Sequence, residues 1–331
     1  MEYRKLGKSG IEVSALAFGA WQLGDTAYWG EDDQADADLA VGAAIDGGIT
    51  LFDTAEMYGE GRSEEVLGKV LGNKRGQVLI ASKVLPGHCA PDKLRTACEA
   101  SLKRLSTDCI DLYQVHWPNR EVPFEATYAE LARLRAEGKI RAIGVSNYGA
   151  HDLTEWMRVG TAESNQLGYN LLFRAIEYEI LPACREFGVG VLVYMPILQG
   201  ILAGKWENVG DIPVKRRRTR HFSGEREGAR HGEPGHEALL IKTLGRIRAI
   251  AEDAGRSMAE LALAWCMARP GVTSVIVGAR KPAQLARNLD AAHHPLEKQI
   301  LQLLDEATRP LRDAMGENPD MWLGAGECRI R

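Results

Sequence analysis

Leu51-Phe52-Asp53-Thr54-Ala55-Glu56-Met57-Tyr58-Gly59 is the segment from which the architecture can be read. The apolar run 49–52 follows the Gly47-Gly48 break and stops on a carboxylate, and a phenol follows one loop-length later. A short apolar run bounded in this way fits a buried strand, so the acid lies where a strand leaves its sheet. Two more runs of the same kind end on titratable groups. Val78-Leu79-Ile80-Ala81-Ser82 delivers Lys83, and Ile110-Asp111-Leu112-Tyr113-Gln114-Val115 delivers His116. In a (β/α)8 barrel the carboxyl ends of all strands share one face, and side chains placed there converge.

On the N-terminal side, segments 3–7 and 11–14, split by Lys8-Ser9-Gly10, predict a hairpin that leads into the apolar run 15–18. From Asp33 the spacing turns helical, with Ala37, Ala40, Val41, Ala44 and Ile45 on one face. On the C-terminal side the alternation repeats. Helices are predicted over 63–71, 91–105, 124–137, 151–159 and 176–187, interleaved with strands over 140–145, near 165–166 and over 189–194. A polar loop, 205–236, precedes helices over 239–254 and 258–267, a strand over 274–277 and a helix over 282–291. A terminal amphipathic helix over 295–309 carries Leu296, Ile300, Leu303 and Leu304 on one face.

Strict strand–helix alternation predicts a parallel sheet. About eight units over roughly 280 residues fit a closed α/β barrel, forming one domain over 1–331 with an N-terminal hairpin and an extra C-terminal helix and tail. An open doubly wound sheet is the alternative. Gly59-Glu60-Gly61-Arg62-Ser63-Glu64 imitates the dinucleotide-binding G-x-G-x-x-G. Glu64 stands where the third glycine is needed for helix–sheet packing, and the motif is not on the first unit. It is therefore read as a turn, with Ser63 capping a helix.

Composition narrows the function. The chain has 331 residues, 45% hydrophobic and 26% charged, which suits a globular protein with a full core. A net charge of −4 disfavours nucleic acid as a partner, Lys215-Arg216-Arg217-Arg218-Thr219-Arg220 being a local exception. Six cysteines without C-x-x-C or metal-finger spacing read as reduced thiols of a cytoplasmic protein. No secretory leader or membrane-length apolar run is present in the sequence, so a membrane association is not expected. No H-x-H pair or ligand cluster falls at a strand end, and no metal is expected. The sequence sets no oligomeric state.

Singly, each of the four residues has an ordinary structural role: Asp53 as a strand-end cap, Tyr58 as a loop aromatic, Lys83 as a surface cation, His116 as a satisfied histidine. Together they suit proton transfer. A free phenol has a pKa near 10, so about 4 kcal/mol of electrostatic help is needed to make it a ready donor or acceptor at neutral pH. An ammonium beside it supplies positive charge, an aspartate beyond keeps the ammonium charged and aimed, and a histidine can orient a carbonyl oxygen. No side chain carries hydride, so a cofactor must.

The segment 52–59 and these four positions resemble the aldo-keto reductase family, over a match running from Tyr3 to about Asn288. The resemblance implies a barrel that binds NADPH/NADP+ without a Rossmann domain. It implies Asp53, Tyr58, Lys83 and His116 as the catalytic tetrad with Tyr58 as acid–base, reducing an aldehyde, ketone or sugar to an alcohol. Carried over residue by residue, Ser146, Asn147 and Gln166 match the partners of the nicotinamide carboxamide. Tyr194 matches the aromatic under the ring. Asp53, Ala20 and Trp21 fall beside the same end of the cofactor. The segment 193–205, with Pro196, Leu198, Gly200 and Lys205, resembles the stretch crossing the pyrophosphate, although Met195 replaces the serine common there. Gly278, Arg280, Gln284 and Asn288 resemble the adenosine end. Arg280 with Lys281 points to NADPH over NADH, since a guanidinium can fork onto a 2′-phosphate, whereas Arg287 stands where many relatives place an acid.

The 205–236 loop is expected to fold over the cofactor, with Arg217 or Arg218 near the pyrophosphate; the alternative is a solvated, mobile loop. Trp21, Trp117 and the Tyr28-Trp29 loop, with Tyr58 and His116, are expected to wall the substrate pocket. The tail 318–322, ending in Trp322, is expected either to reach the barrel mouth or to cover the outside. Two other functions fit the same residues: a non-catalytic, NADP-binding regulatory subunit of a membrane channel, and a lyase using Lys83 as a Schiff-base nucleophile.

Overall fold

The computed structural model describes residues 1–30 and 34–331. A hairpin of β1 (Tyr3–Lys5) and β2 (Glu12–Ser14) opens the chain. Eight parallel strands follow: β3 (Leu16–Gly19), β4 (Leu51–Asp53), β5 (Leu79–Val84), β6 (Ile110–Val115), β7 (Ile140–Ser146), β8 (Ser164–Gly168), β9 (Gly190–Tyr194) and β10 (Val272–Val277). Among the described residues these close into a barrel, β10 pairing with β3 through Val275↔Leu16, Ile276↔Ala17 and Val277↔Phe18. The protein is a (β/α)8 barrel, and the open sheet is excluded by that last pairing. Helices between successive strands cover the outside, as parallel sheets require. No helix among the described residues is long and apolar enough to cross a membrane.

The pleat explains what reaches the middle. Alternate residues point inward, and Leu51, Ala81, Leu112, Ala142, Leu192, Ile276 and Ala17 form one buried interior cluster. The hairpin adds Leu6, Ile11 and Val13 to this cluster and so plugs the amino-terminal end of the barrel. Further along the inward rows come Asp53, Lys83 and Gln114, one step on, and Ser146, two steps beyond Ala142, with Gln166 paired to it. The apolar floor is thus continuous with a polar layer at the carboxyl face. Gly144 of β7 makes room in that layer: a Cβ there would sit 2.4 Å from Ser164 Oγ and 2.8 Å from Gln114 Cγ.

Several elements depart from the expected ones. The expected helix start at Asp33 lies outside the described residues, the described helix being Gln34–Asp46. The 176–187 helix is two pieces, a turn at Ala175–Glu177 and a helix at Ile180–Phe187. Tyr28 and Trp29 end a single helical turn, Thr26–Trp29, not a loop. The terminal helix continues through Pro310 to span Lys298–Met315, because its apolar stripe continues through Leu304, Ala307, Leu311 and Met315. Leu303 is off that stripe and 43% exposed. Ser63 does not cap its helix: the cap position is Gly61, at φ 91°. Its hydroxyl instead donates to Ala20 O at 2.7 Å and contacts Thr54 Oγ1 at 2.9 Å. The neighbouring Glu64 is fully buried, held by Ser82 Oγ and by Arg104 Nε.

The barrel interior offers a direct check. Gly144→Ala forces a methyl against Ser164 and Gln114 and is expected to cost about 1–3 kcal/mol by overpacking. Urea unfolding midpoints measure it, and Gly76→Ala, where no atom lies within 4 Å, serves as the control.

Candidate active site

At the carboxyl face the polar layer becomes a linked set of side chains. Asp53 ends β4 and Lys83 lies one pleat further along β5, so both point inward, and Lys83 Nζ donates to Asp53 Oδ1 at 2.7 Å. The ammonium has three protons and three partners: Asp53, Thr54 O at 2.8 Å and the Tyr58 hydroxyl at 3.3 Å. Lys83 is fully buried and Asp53 nearly so. Burial lowers the lysine pKa, but Asp53 and Tyr58 outweigh it and raise the net value, so the group stays charged.

Tyr58 follows in the loop, its ring part-exposed and its hydroxyl against Lys83. Here the structure corrects the sequence. The expected effect of the cation was to make the phenol acidic, yet burial wins: desolvation pushes the Tyr58 pKa above its ordinary value, with Lys83 pulling it down and Asp53 pushing it up. The free protein therefore holds the Tyr58 proton at neutral pH.

His116 continues the inward row just past β6. Burial first, and Lys83 second, hold its pKa well below 6.5, so the imidazole is neutral at pH 7. Its ring stands edge-on to Tyr58, 5.8 Å between centroids at 83°, and Nδ1 is buried without a partner among the described residues. A neutral imidazole beside a protonated phenol gives two donors for one oxygen atom.

Around this floor opens a cavity of about 720 Å³. Ser146, Asn147, Gln166 and Tyr194 form one wall. Asn147 sits at φ 61°, a conformation rare outside glycine, which turns its amide toward Ser146 Oγ (3.1 Å) and His116 O (3.1 Å). Tyr194 donates to Asn147 Oδ1 at 2.8 Å. Gln166 donates to Asp53 Oδ2 at 2.7 Å. Pro196, Gly200, Lys205, Gly278, Arg280, Gln284 and Asn288 also border the cavity. Arg280 donates to Trp29 O at 2.5 Å and its backbone N–H to Gln284 Oε1. Trp21, Trp117, Tyr28 and Trp29 wall the mouth, with Trp21 stacked on Tyr28 at 5.0 Å. Of the residues expected here, Ala20 and Leu198 are buried behind the wall and Lys83 beneath the floor.

The 205–236 loop is anchored. Phe222 and His221 are fully buried, and Arg220 holds Glu233, Asn318 O and Met315 O. Arg218 borders the cavity, whereas Arg217 turns away to Val209 O. Arg216 and Arg230, which the sequence did not single out, also border it. The tail reaches the mouth. Asp320, fully buried, accepts from the backbone N–H of Trp322 and Leu323 and from Arg329 Nε (2.8 Å) and Nη2 (3.0 Å). This clasp sets Trp322 parallel to Tyr194, 6.4 Å between centroids, and lays Arg329 over the Trp117 ring at 3.9 Å. Arg329 had no local signature; only the return of the tail brings it here.

A family model for the Aldo/keto reductase family matches residues 15–309. The chain is 36% identical over 300 residues to the aldo-keto reductase YhdN of Bacillus subtilis (strain 168), covering 86% of this chain and 87% of that protein. It is 33% identical to a probable voltage-gated potassium channel subunit beta of Arabidopsis thaliana, covering 88% and 91%. The crystal structure of an aldo-keto reductase from Klebsiella pneumoniae in complex with NADPH matches with a TM-score of 0.75 at 30% identity, covering 97% of this chain and all of that one.

Removing the clasp should free the tail while sparing the barrel. Asp320→Ala deletes the acceptor shared by Trp322, Leu323 and Arg329, a local loss of about 1–3 kcal/mol. Trypsin cleavage within 318–331, followed by mass spectrometry, is expected to accelerate with little change in the main melting transition.

Proposed function

The chain belongs to the aldo/keto reductase family, and from that premise we propose that it is an NADP(H)-dependent reductase of aldehyde, ketone or sugar carbonyls. We take 1–331 as one catalytic domain. The observation that carries the reading is the hydrogen-bonded series Asp53–Lys83–Tyr58, laid beneath a cavity with a neutral His116 at its side. A bound NADPH supplies the hydride that no side chain can.

The cavity has the features such a group needs. The wall of Ser146, Asn147 and Gln166 offers amide and hydroxyl groups to a carboxamide. Gly200 and Gly278 let the backbone come close: a Cβ at Gly278 would lie 2.8 Å from the Gln22 side chain. Lys205, Arg216 and Arg218 offer positive charge to a pyrophosphate, and Arg280 to a 2′-phosphate.

Within this site Tyr58 and His116 would both donate to the substrate's carbonyl oxygen. Tyr58 would give its phenolic proton to that oxygen as negative charge develops on it. Lys83, held charged by Asp53, stabilises the phenolate left behind. The free phenol holds its proton at neutral pH, the form that reduction would use; oxidation of an alcohol would use the ionised form. Trp117, Trp322 and Arg329 would meet the remainder of the substrate.

The likeness to a channel subunit beta supports a second reading, a cofactor-binding regulatory subunit that turns over little or no substrate. Carbonyl-dependent loss of NADPH absorbance, across sugars, aldehydes and ketones, separates the two readings.

Tyr58→Phe is expected to lower kcat by about 100-fold or more while NADPH affinity, followed by fluorescence, stays near wild type. The pH profile has a fixed sign. A phenol with a raised pKa is protonated below that value, so reduction stays level through neutral pH and falls only above about 10, the ordinary tyrosine range, while alcohol oxidation rises with pH. Lys83→Met removes the cation that lowers the Tyr58 pKa and moves both limbs further up. Arg280→Ala is expected to weaken NADPH about tenfold or more, and NADH little, by removing a charge-assisted contact.

A further inference from the structure

Asp53 is buried, and an ionised carboxylate with both oxygens out of water needs a donor on each. Lys83 serves Oδ1 and Gln166 Nε2 serves Oδ2, both at 2.7 Å. The orientation of the Gln166 amide follows from this contact, since an ionised carboxylate only accepts and its partner must be the NH2 end. Gln166 is itself buried, borders the cavity beside Ser146 and Asn147, and its Oε1 accepts no hydrogen bond among the described residues. One amide therefore touches the catalytic series with its donor end and has its acceptor end to offer to the site expected for the nicotinamide carboxamide.

We propose that Gln166 is a positioning residue that joins the carboxamide of a bound nicotinamide to the Tyr58 proton donor, through Asp53 and Lys83. The inference rests on the function proposed above. A carboxamide N–H donating to Oε1 polarises the Gln166 amide and strengthens its donation to Asp53, as hydrogen bonds in series do. Donation draws negative charge from Asp53, whose charge is one of the forces holding the Tyr58 proton in place. The phenol then releases its proton more readily when cofactor is seated. The titratable groups around Gln166 are Asp53 on β4, Lys83 on β5, His116 after β6, Tyr194 on β9 and Tyr58 from the loop after β4; β8 itself contributes none.

Gln166→Glu tests the link because it keeps the acceptor at every pH but keeps the donor only while protonated. Two carboxyl groups sharing one site hold a proton between them until the pH rises. Relative to wild type, kcat of this variant is expected to fall by about tenfold or more as the pH rises through the shared titration, because the protonated fraction drops about tenfold for each further pH step. NADPH affinity, read by fluorescence, stays within about threefold across the same range, because an acceptor alone suffices for the carboxamide. Gln166→Met, which lacks both ends, weakens NADPH and lowers kcat with no added titration. A readout without turnover goes alongside: the melting temperature of ligand-free Gln166→Glu, minus that of Gln166→Met, is expected to drop as pH rises. A Gln166→Glu kcat that tracks wild type at every pH, or a melting difference indifferent to pH, overturns the proposal. Should wild-type protein oxidise no NADPH with any carbonyl, the function proposed above fails. The melting series then still decides for or against the link between Gln166 and Asp53.

Discussion

A lysine ammonium with no access to water, satisfied by three acceptors, is the constraint around which the carboxyl face is built. Removing two opposite charges from water costs more than their attraction returns in many proteins, and an apolar pair of similar size is often as stable or more so. The Asp53–Lys83 pair is therefore poor evidence for stability and better evidence for chemistry. Its geometry leaves no slack. Thr54 O takes the second proton of Lys83 and Tyr58 the third, so the phenol cannot move without stranding a buried donor. Asp53 in turn needs Gln166, which ties β8 to β4 across the barrel.

The barrel delivers these groups by register alone. Asp53 pairs with Ala81, and Lys83 with Gln114, so side chains two residues apart on adjacent strands reach the same layer. Below that layer the interior is aliphatic, and the low polarity of that floor keeps His116 neutral and the Tyr58 proton in place. The apolar plug contributed by the hairpin at the far end belongs to the same account, because water entering from below would screen the charges on which the site depends.

This is also why so much is legible from sequence. Asp53, Lys83 and His116 each terminate an apolar run, a local pattern that fixes both the strand and its direction of exit. The eight-fold alternation predicts the barrel, and the β10–β3 pairing is what excludes the open sheet. What is illegible depends on distant chain. Ser63 follows a glycine-rich turn and looks like a helix cap, but Ala20 and Thr54 claim its hydroxyl. Glu64 stands in sequence where a dinucleotide-binding turn would need a glycine, and in the structure Arg104 and Ser82 hold it buried. Arg217 and Arg218 are indistinguishable in a basic run, and only the path of the loop sends one to the cavity and the other to Val209. Arg329 and Asp320 meet across a tail that carries no periodicity. The direction in which the Tyr58 pKa moves is hidden for a related reason: the sequence names the cation beside the phenol but not the depth of its burial.

Charge is distributed unevenly over the cavity, and the unevenness separates two tasks. Lys205, Arg216, Arg218, Arg280 and Arg287 border it away from the floor; Lys205 and Arg287 are exposed and the other three half-buried, where positive charge attracts anions at little desolvation cost. At the floor the charges cancel within one buried pair, and the groups left facing the cavity are a neutral imidazole, a protonated phenol and amides. Binding energy gathered at the cationic surface holds ground state and transition state alike, so it sets affinity and not rate. In the function proposed, only the floor would discriminate between a carbonyl and a developing alkoxide, because its donors act in a medium of low polarity where a change of charge on one oxygen is strongly felt. If the proposed function holds, the electrostatic contrast between rim and floor, more than any single residue, is what would make this barrel a reductase, and weakening the rim should be recoverable by more cofactor where weakening the floor should not.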